Sequence, residues 1–174
     1  MKITLKDGSV KEYESATTAA EITKDISMGL YRNACCCRIN GAVKDLRTVV
    51  DSDCEFEVLT FDEEDGKKAF NHTASHVMAQ AVKRLYPDTK LTIGPAIENG
   101  FYYDFDVETP FGPEDLEKIE KEMKKIIKEN YPIEKFELPV DEAIKLMQDK
   151  GEPYKIELIN EHAGKGEAVS YTHL

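Results

Sequence analysis

The sequence lacks both a hydrophobic run long enough to cross a membrane and a hydrophobic signal region. A membrane-spanning helix needs about 20 consecutive apolar residues, and none of the 174 residues lies in such a run. The first eight residues mix polar and apolar side chains, whereas a secretory signal carries a continuous apolar stretch. The first absence excludes a membrane-spanning helix in these residues, and the two together predict a cytoplasmic protein without a membrane partner.

Positive charge is also scarce. The chain has 23 Lys and Arg residues against 34 Asp and Glu residues, a net charge of −11. Non-specific nucleic-acid binding depends on bulk positive charge, so it is not expected here, although a local groove for a single-stranded end stays compatible. The one dense lysine group, at 118–128, alternates with glutamates and is typical of a solvated helix face with i,i+4 pairs.

The four cysteines contain no C-x-x-C pair. Cys35, Cys36 and Cys37 are consecutive in a segment with strand character, so neighbouring side chains point to opposite faces and cannot share one metal ion. The pattern favours small buried thiols in a reducing compartment. Cys54 alternates with Phe56 and is expected in the core of a half-buried strand.

Residues 1–61 predict a small α+β module. Its signals are a turn at Asp7-Gly8, a helix cap at Thr17 or Thr18, a turn at Asn40-Gly41 and a closing strand from Cys54 to Leu59. Two hairpins around one helix are typical of a β-grasp, ubiquitin-like arrangement. Residues 62–66 (DEEDG) are expected to be a solvated acidic linker.

A second domain is predicted from residue 67 onward. Its expected elements are a helix at 67–86, strands at 91–97 and 100–106, a long helix opened by 112–115, a helix at 141–150 and a strand at 155–159. The turn between the two strands is placed at Glu98-Asn99-Gly100. The core stripe of the long helix is predicted to be Leu116, Ile119, Met123, Ile126 and Ile127.

The most informative residues are His72 and His76, four positions apart in the first of these helices. At about 100° per residue, both imidazoles and Lys83 lie opposite the apolar stripe. That stripe consists of Phe70, Ala74, Val77, Met78, Ala81, Val82 and Leu85. Two converging imidazoles can hold a metal ion or a hydrolytic water, but the same spacing also occurs on idle surface helices.

Sequence motifs that follow the histidine pair resemble those of a known protein family. The string IGPAIENGFYYD at 93–104, the string GEPYK at 151–155, the H-x-x-x-H helix and the front module together resemble bacterial threonyl-tRNA synthetase. The resemblance covers about residues 1–160. It implies an α+β chain with a β-grasp TGS domain at 1–61 and an editing-type domain at 67–174 that is incomplete at its carboxyl end.

The resemblance also implies an activity. This family joins threonine to tRNA(Thr) with ATP, contains a zinc ion in its aminoacylation core and forms homodimers at full length. Its editing domain hydrolyses serine wrongly attached to the 3′ end of tRNA(Thr). The expected partners are therefore that 3′ end and threonine or serine, while the ATP site and the core zinc site lie beyond residue 174.

Carried over residue by residue, the resemblance assigns a role to each site residue. His72 and His76 would orient water or hold a weak divalent metal, and Lys155 would transfer a proton or stabilise charge near the ester. The remaining substrate-binding positions would be Tyr103 against the seryl group or the terminal adenosine, Gly94 through close backbone approach, and Asp104.

The sequence departs from the family in one respect. The family's pocket is completed by a D-x-C-x-G-P-H motif, but this chain has no cysteine after Cys54, and its tail at 168–174 does not match. Stable catalytic zinc usually takes three protein ligands, so two histidines would hold an ion weakly. We therefore expect a truncated chain, its last few residues of doubtful origin, that is inactive or nearly so in deacylation.

Three alternatives stay open. Alanyl-tRNA editing proteins use a similar histidine pair but lack the TGS front and the 93–104 string in this form. A TGS-containing regulatory or RNA-binding module would explain only residues 1–61. A degenerate structural fragment without activity would explain the missing second half of the pocket.

Overall fold

The computed structural model describes residues 1–92, 94–97, 99–131, 134–163 and 169–173. The chain divides into two compact units, Met1–Asn71 and His72–Leu174, and the boundary falls within one long helix. No helix in the described residues is long and apolar enough to cross a membrane.

The first unit is built around a five-stranded sheet. Its elements are β1 (Lys2–Leu5), β2 (Val10–Glu12), β3 (Thr17–Thr18), α1 (Ala19–Ile26), α2 (Met28–Asn33), β4 (Ala34–Ile39), β5 (Ala42–Lys44), β6 (Val49–Val50), β7 (Cys54–Thr60) and the start of α3 (Glu64–Leu85). The strand order is β2-β1-β7-β4-β5, with β1 and β7 parallel and the other pairs antiparallel. This mixed sheet with its helix confirms the predicted β-grasp arrangement.

Local sequence signals explain these elements. Asn40 and Gly41 both have positive φ, 48° and 82°, as a two-residue hairpin turn between β4 and β5 requires. Of the two cap candidates, Thr18 is the helix cap, because its hydroxyl accepts the Glu21 N–H at 3.2 Å. The core contains Ile3, Ala19, Ile22, Cys37, Val50, Cys54 and Phe56.

The cysteines behave as core residues. Cys36, Cys37 and Cys54 are buried and Cys35 is half-buried, all four as free thiols. Burial raises the pKa of Cys37 to about 12 and that of Cys36 to about 11. Because metal ligation and nucleophilic attack need a thiolate, these protonated thiols are suited to packing.

The last three residues of the acidic segment 62–66 are helical, where the sequence predicts a linker. Helix α3 begins at Glu64, and Glu63 accepts hydrogen bonds from the Thr60 N–H and hydroxyl at 2.7 and 2.9 Å. A Cβ at Gly66 would lie 1.8 Å from the Thr60 carbonyl oxygen, so glycine lets the helix pass close to the end of β7. Acids in a first helical turn also favour the helix dipole, a preference that the linker interpretation overlooked.

The second unit combines short strand pairs with helices. Beyond the rest of α3 it contains β8 (Lys90–Leu91), β9 (Ala96–Ile97), β10 (Gly100–Phe101), β11 (Phe105–Asp106), α4 (Pro113–Glu129), β12 (Glu134–Leu138), α5 (Val140–Asp149), α6 (Pro153–Ala163) and β13 (Val169–His173). The described strands of this unit form three antiparallel pairs, β9 with β10, β8 with β11 and β12 with β13. The unit is α+β, as predicted, and the predicted turn position Glu98 lies outside the described residues.

The predicted apolar stripes are wider than the observed ones. Ile119 and Ile126 of α4 are buried, whereas Leu116 is 61% exposed and Ile127 is 63% exposed. Phe70 of α3 is 53% exposed and packs edge-to-face on Phe61 instead of joining a core. Periodicity identifies the side of a helix but not how far its neighbours cover it.

The predicted strand at 155–159 is wrong, because these residues lie in helix α6. Gly151 has φ +67°, which ends α5 in the left-handed conformation, and Pro153 then occupies the first position of α6. Ile156 and Ile159, three residues apart, pack into the small core between α5 and α6. Isoleucine content suggested a strand, but helical packing decides the conformation.

Candidate active site

His72 and His76 form a close pair on α3. Their Nε2 atoms are 3.1 Å apart, and their rings meet edge-to-face with centroids 4.5 Å apart. The one-turn spacing therefore brings the two imidazoles together, as the sequence predicts. At this distance one protonated Nε2 donates a hydrogen bond and the other Nε2 accepts it.

The environment keeps His76 uncharged. Burial, together with the positive charges of His72 and Lys155, lowers the pKa of His76 to about 4. His72 is exposed. At neutral pH His76 is a neutral imidazole, which can accept a proton from water or present a lone pair to a metal ion.

Lys155 adds a positive charge to the site. It lies half-buried on α6, and burial lowers its pKa, as do the charges of Lys150 and Lys83, while Glu152 opposes the shift. Its charge in turn acts on His76. The structure thus brings Lys155 into the electrostatic neighbourhood of the histidine pair, even though it lies on a helix and not on the predicted strand.

Tyr103 and Gly94 form a contact of their own. A Cβ at Gly94 would lie 2.0 Å from Cδ2 of Tyr103, so only glycine lets the tyrosine ring pack against this backbone. The ring also stacks on Phe105, with centroids 4.9 Å apart. Burial raises the pKa of Tyr103, and the charge of Glu152 adds to that rise. Gly94 therefore positions Tyr103, whatever it does for a substrate.

Asp104 contacts Thr92 through its backbone carbonyl group. Its carbonyl oxygen accepts the Thr92 N–H at 3.2 Å and the Thr92 hydroxyl at 2.6 Å. Its side chain is exposed. No contact of the described residues joins its carboxylate to the histidine pair, so substrate binding by Asp104 stays a prediction.

Two further charged residues belong to this region and were not among the predicted site residues. Glu152 is 4% exposed, and its Oε1 lies 3.2 Å from the Lys83 ammonium. Lys83 already shared the predicted face with the histidines, and Glu152 lies inside the string GEPYK. Both signals were present in the sequence, but neither predicted that the two side chains would pair.

The histidine pair fits two positions of a metal site but not a full set. Two ligands of one tetrahedral zinc lie about 3.3 Å apart, given Zn–N distances near 2.05 Å, close to the observed 3.1 Å. Within the part of the chain that the structure describes, no group of three His, Cys, Asp or Glu residues could hold a metal. The described donors are therefore insufficient for a stable catalytic zinc.

A cleft lies elsewhere in the second unit. It has a volume of about 600 Å³ and runs from Leu85 to Lys90 and from Asp106 to Phe111. None of the predicted site residues lines it. Convergent titratable side chains make the histidine pair the better candidate for chemistry, because size alone does not supply a reacting group.

Comparisons with known proteins concern the first unit and the chain as a whole. A family model described as TGS domain matches residues 1–60. The chain is 60% identical over 171 residues to a threonine–tRNA ligase of Acetivibrio thermocellus, covering 98% of this chain and 27% of the relative. A threonine–tRNA ligase of Clostridium perfringens is 59% identical over 171 residues, covering 98% and 26%.

A third relative matches the chain from end to end. The threonine–tRNA ligase of Clostridium botulinum is 58% identical over 174 residues, 100% of this chain and 27% of the relative. The chain thus spans about a quarter of the length of the curated relatives it matches. It is homologous to the threonine–tRNA ligases over nearly its whole length and begins with a TGS domain, as an amino-terminal part of such an enzyme would.

Proposed function

We propose that the second unit of this chain hydrolyses serine from mischarged seryl-tRNA(Thr), as the editing part of a threonine–tRNA ligase. The observation that carries this proposal is the pairing of a neutral His76 with His72, 3.1 Å apart, next to the charge of Lys155. A neutral imidazole can act as the general base of ester hydrolysis, and an ammonium can stabilise the negative oxygen that develops.

Each group has a distinct task in this proposal. The neutral imidazole of the pair accepts a proton from the attacking water as the water adds to the ester carbonyl. Lys155 stabilises the negative charge that develops on the carbonyl oxygen. Tyr103, fixed by Gly94, provides a ring and a hydroxyl against the seryl group or the terminal adenosine.

Selectivity follows from the size of the substrate. Serine differs from threonine by one methyl group, which is worth only about 1–3 kcal/mol of discrimination in one binding step. A second pocket that accepts serine and excludes the extra methyl multiplies this discrimination. We propose that residues around Tyr103 form this second pocket.

The remaining properties of the relatives are proposals for this chain. We infer that the full-length protein attaches threonine to tRNA(Thr) with ATP in the cytoplasm, as a homodimer with zinc in its aminoacylation core. A weak divalent ion at His72 and His76 is part of the same inference. We derive no step through a metal, because the described donors do not complete a site.

The isolated 174 residues should hydrolyse seryl-tRNA(Thr) slowly or not at all. Their sequence contains no cysteine after Cys54, so the D-x-C-x-G-P-H half of the pocket is absent from them. Serine release from seryl-tRNA(Thr) by the purified chain tests this expectation. Turnover comparable to an intact editing domain would contradict it.

The hydrolytic function itself is best tested in a complete enzyme. The matching segment of the Acetivibrio thermocellus ligase, 60% identical over 171 residues, can be replaced by this chain. The resulting hybrid ligase should release serine from seryl-tRNA(Thr) at least about tenfold faster than threonine from threonyl-tRNA(Thr). Equal rates for the two esters, or no hydrolysis beside intact threonine attachment, would contradict the proposal and favour a binding module.

A further inference from the structure

The cleft of about 600 Å³ in the second unit has no task in the proposed hydrolysis. Two loops form most of its lining, one at 85–90 after α3 and the other at 106–111 before α4. Its volume lies in the range of about 300–1,000 Å³ that is typical of small-molecule sites. Binding and catalytic residues are often found on loops that a rigid scaffold holds in place. The cleft is therefore suited to a ligand of its own.

Aromatic rings form part of the apolar surface of the cleft. Tyr86 and Phe111 both line it and contact each other, with ring centroids 5.0 Å apart. Phe111 also meets Phe105 edge-to-face at 5.8 Å, and the Tyr86 hydroxyl donates to Asp115 at 2.7 Å. These contacts hold both rings in place before any ligand arrives. The face of such a ring attracts apolar groups and positive charge.

The charged groups of the lining are mostly negative. Asp88, Asp106, Glu108 and Asp115 line the cleft together with one basic residue, Lys90. Four carboxylates against one ammonium leave an excess of three negative charges. This excess favours a cationic ligand and disfavours a phosphate-rich one.

Two of the carboxylates already have partners within the protein. Asp115 accepts the Tyr86 hydroxyl at 2.7 Å, and Asp106 accepts the Tyr154 hydroxyl at 2.9 Å. Asp106 also lies 3.8 Å from the ammonium of Lys90. The lysine of the lining is thus next to an acid that is already bonded, and it leaves the two remaining carboxylates unneutralised.

Those remaining carboxylates belong to opposite loops. Asp88 follows α3, and Glu108 precedes α4, and both residues are exposed. Within the part of the chain that the structure describes, neither side chain forms an ion pair or a hydrogen bond. A ligand in the cleft would meet one unpaired carboxylate from each loop. Two positive groups on one small ligand would match this arrangement.

We propose that the cleft binds a linear polyamine, a small organic cation whose ammonium groups are separated by short methylene chains. Its ammonium groups pair with the carboxylates of Asp88 and Glu108, and its methylene chain lies on the rings of Tyr86 and Phe111. A divalent metal ion does not fit, because no group of three His, Cys, Asp or Glu among the described residues could hold one. This binding is independent of the proposed hydrolysis.

The first experiment titrates the purified chain with spermidine at about 0.15 M salt, where weak charge attraction is largely screened. Backbone amide signals are followed by NMR. We expect saturable shifts that are confined to the two loops at 85–90 and 106–111, with half-saturation below about 1 mM. Shifts spread over the acidic surface of both units, or no saturation by about 10 mM, would overturn the proposal.

The second experiment removes the two unpaired charges. Asp88→Asn combined with Glu108→Gln should weaken spermidine binding by about fivefold or more, because two charge pairs are lost. The matched control combines Asp51→Asn with Glu14→Gln, two exposed acids of the first unit, and lowers the net charge equally. It should leave the affinity within about twofold of that of the unchanged chain. Equal affinities of the two double variants would contradict the assignment of the site.

The third experiment compares spermidine with other cations. Magnesium ions should not displace it at equal concentration, since the described residues offer them no set of ligands. Displacement by magnesium as effective as that by spermidine would reduce the effect to general charge attraction and overturn the proposal. A tetralysine peptide should bind the cleft more weakly than spermidine. Tighter binding of the peptide would also overturn the proposal, because it would identify the cleft as a docking site for a basic polypeptide.

Discussion

The two units of this chain differ in the kinds of side chain that they bury. The first closes a five-stranded sheet over one apolar cluster in which even its thiols are buried as packing groups. The second divides its buried apolar residues between two small clusters and also buries the charged side chain of Glu152. A unit organised for packing can exclude charge from its interior, whereas a unit organised for chemistry must tolerate charge and position it.

The largest expected effect lies in the first unit. Gly66→Ala should lower the free energy of unfolding by about 3 kcal/mol, because the new Cβ would lie 1.8 Å from the backbone oxygen of Thr60 and backbone cannot easily yield. Urea denaturation measures this loss, and hydrogen exchange shows whether it is confined to residues 1–71.

The matched control is Gly29→Ala in α2. Its new Cβ would lie 3.5 Å from the Ser27 hydroxyl oxygen, an ordinary contact, and alanine favours a helix over glycine by about 1 kcal/mol. Gly29→Ala should therefore be neutral or slightly stabilising. Equal stability of the Gly66→Ala variant and the unchanged protein would show that the start of α3 is not tightly packed on β7.

An intermediate effect is expected in the second unit when the pH falls. The pKa of His76 is about 4 in the folded chain, whereas the unfolded imidazole binds its proton near pH 6.5. The unfolded state therefore gains protons first, so the stability contributed by His76 is complete above pH 6.5 and is lost as the pH falls toward 4. Because solvent reaches part of the ring, we expect a loss of about 2 kcal/mol.

The His76→Gln variant isolates this effect from the acid titration of the many carboxylates. We expect the difference in free energy of unfolding between the unchanged protein and the variant to be constant above pH 6.5. It should decrease as the pH falls from 6.5 to 4. A flat difference across that range would mean that His76 is as free to accept a proton in the folded chain as in the unfolded one.

The smallest effect concerns a helix cap. Thr18→Ala should destabilise the first unit by about 1 kcal/mol, because the Thr18 hydroxyl accepts the Glu21 N–H at the start of α1. Thr17→Ala is the matched control, since Thr17 lies in β3 and has no capping role. Thermal unfolding should show a lower stability for Thr18→Ala than for Thr17→Ala. A larger loss of stability in Thr17→Ala would contradict the assignment of Thr18 as the helix cap.

The sequence predicts the first unit better than the second for a physical reason. Turns such as Asn40-Gly41 and the cap at Thr18 depend on two to four neighbouring residues, so local chemistry decides them. The segment at 155–159 depends instead on how Ile156 and Ile159 pack against α5, which no local pattern contains. The exposure of Leu116 likewise depends on what covers α4.

The candidate site shows the same division. The one-turn spacing of His72 and His76 predicts their contact, because both residues belong to one helix. The contact of Gly94 with Tyr103 and the pairing of Lys83 with Glu152 join residues distant in sequence, so their geometry could not be foreseen. The resemblance supplied the candidate site residues, and the structure shows which of their charges act on one another.

The central claim is that the second unit carries the chemistry. The most direct test compares the rate of serine release by the hybrid ligase with that of its His76→Ala variant. If hydrolysis depends on the histidine pair, the rate should fall by about 100-fold or more, while attachment of threonine to tRNA(Thr) should continue unchanged. Gly29→Ala in the first unit should leave both rates as they are. An undiminished rate of serine release from the His76→Ala ligase would contradict the account.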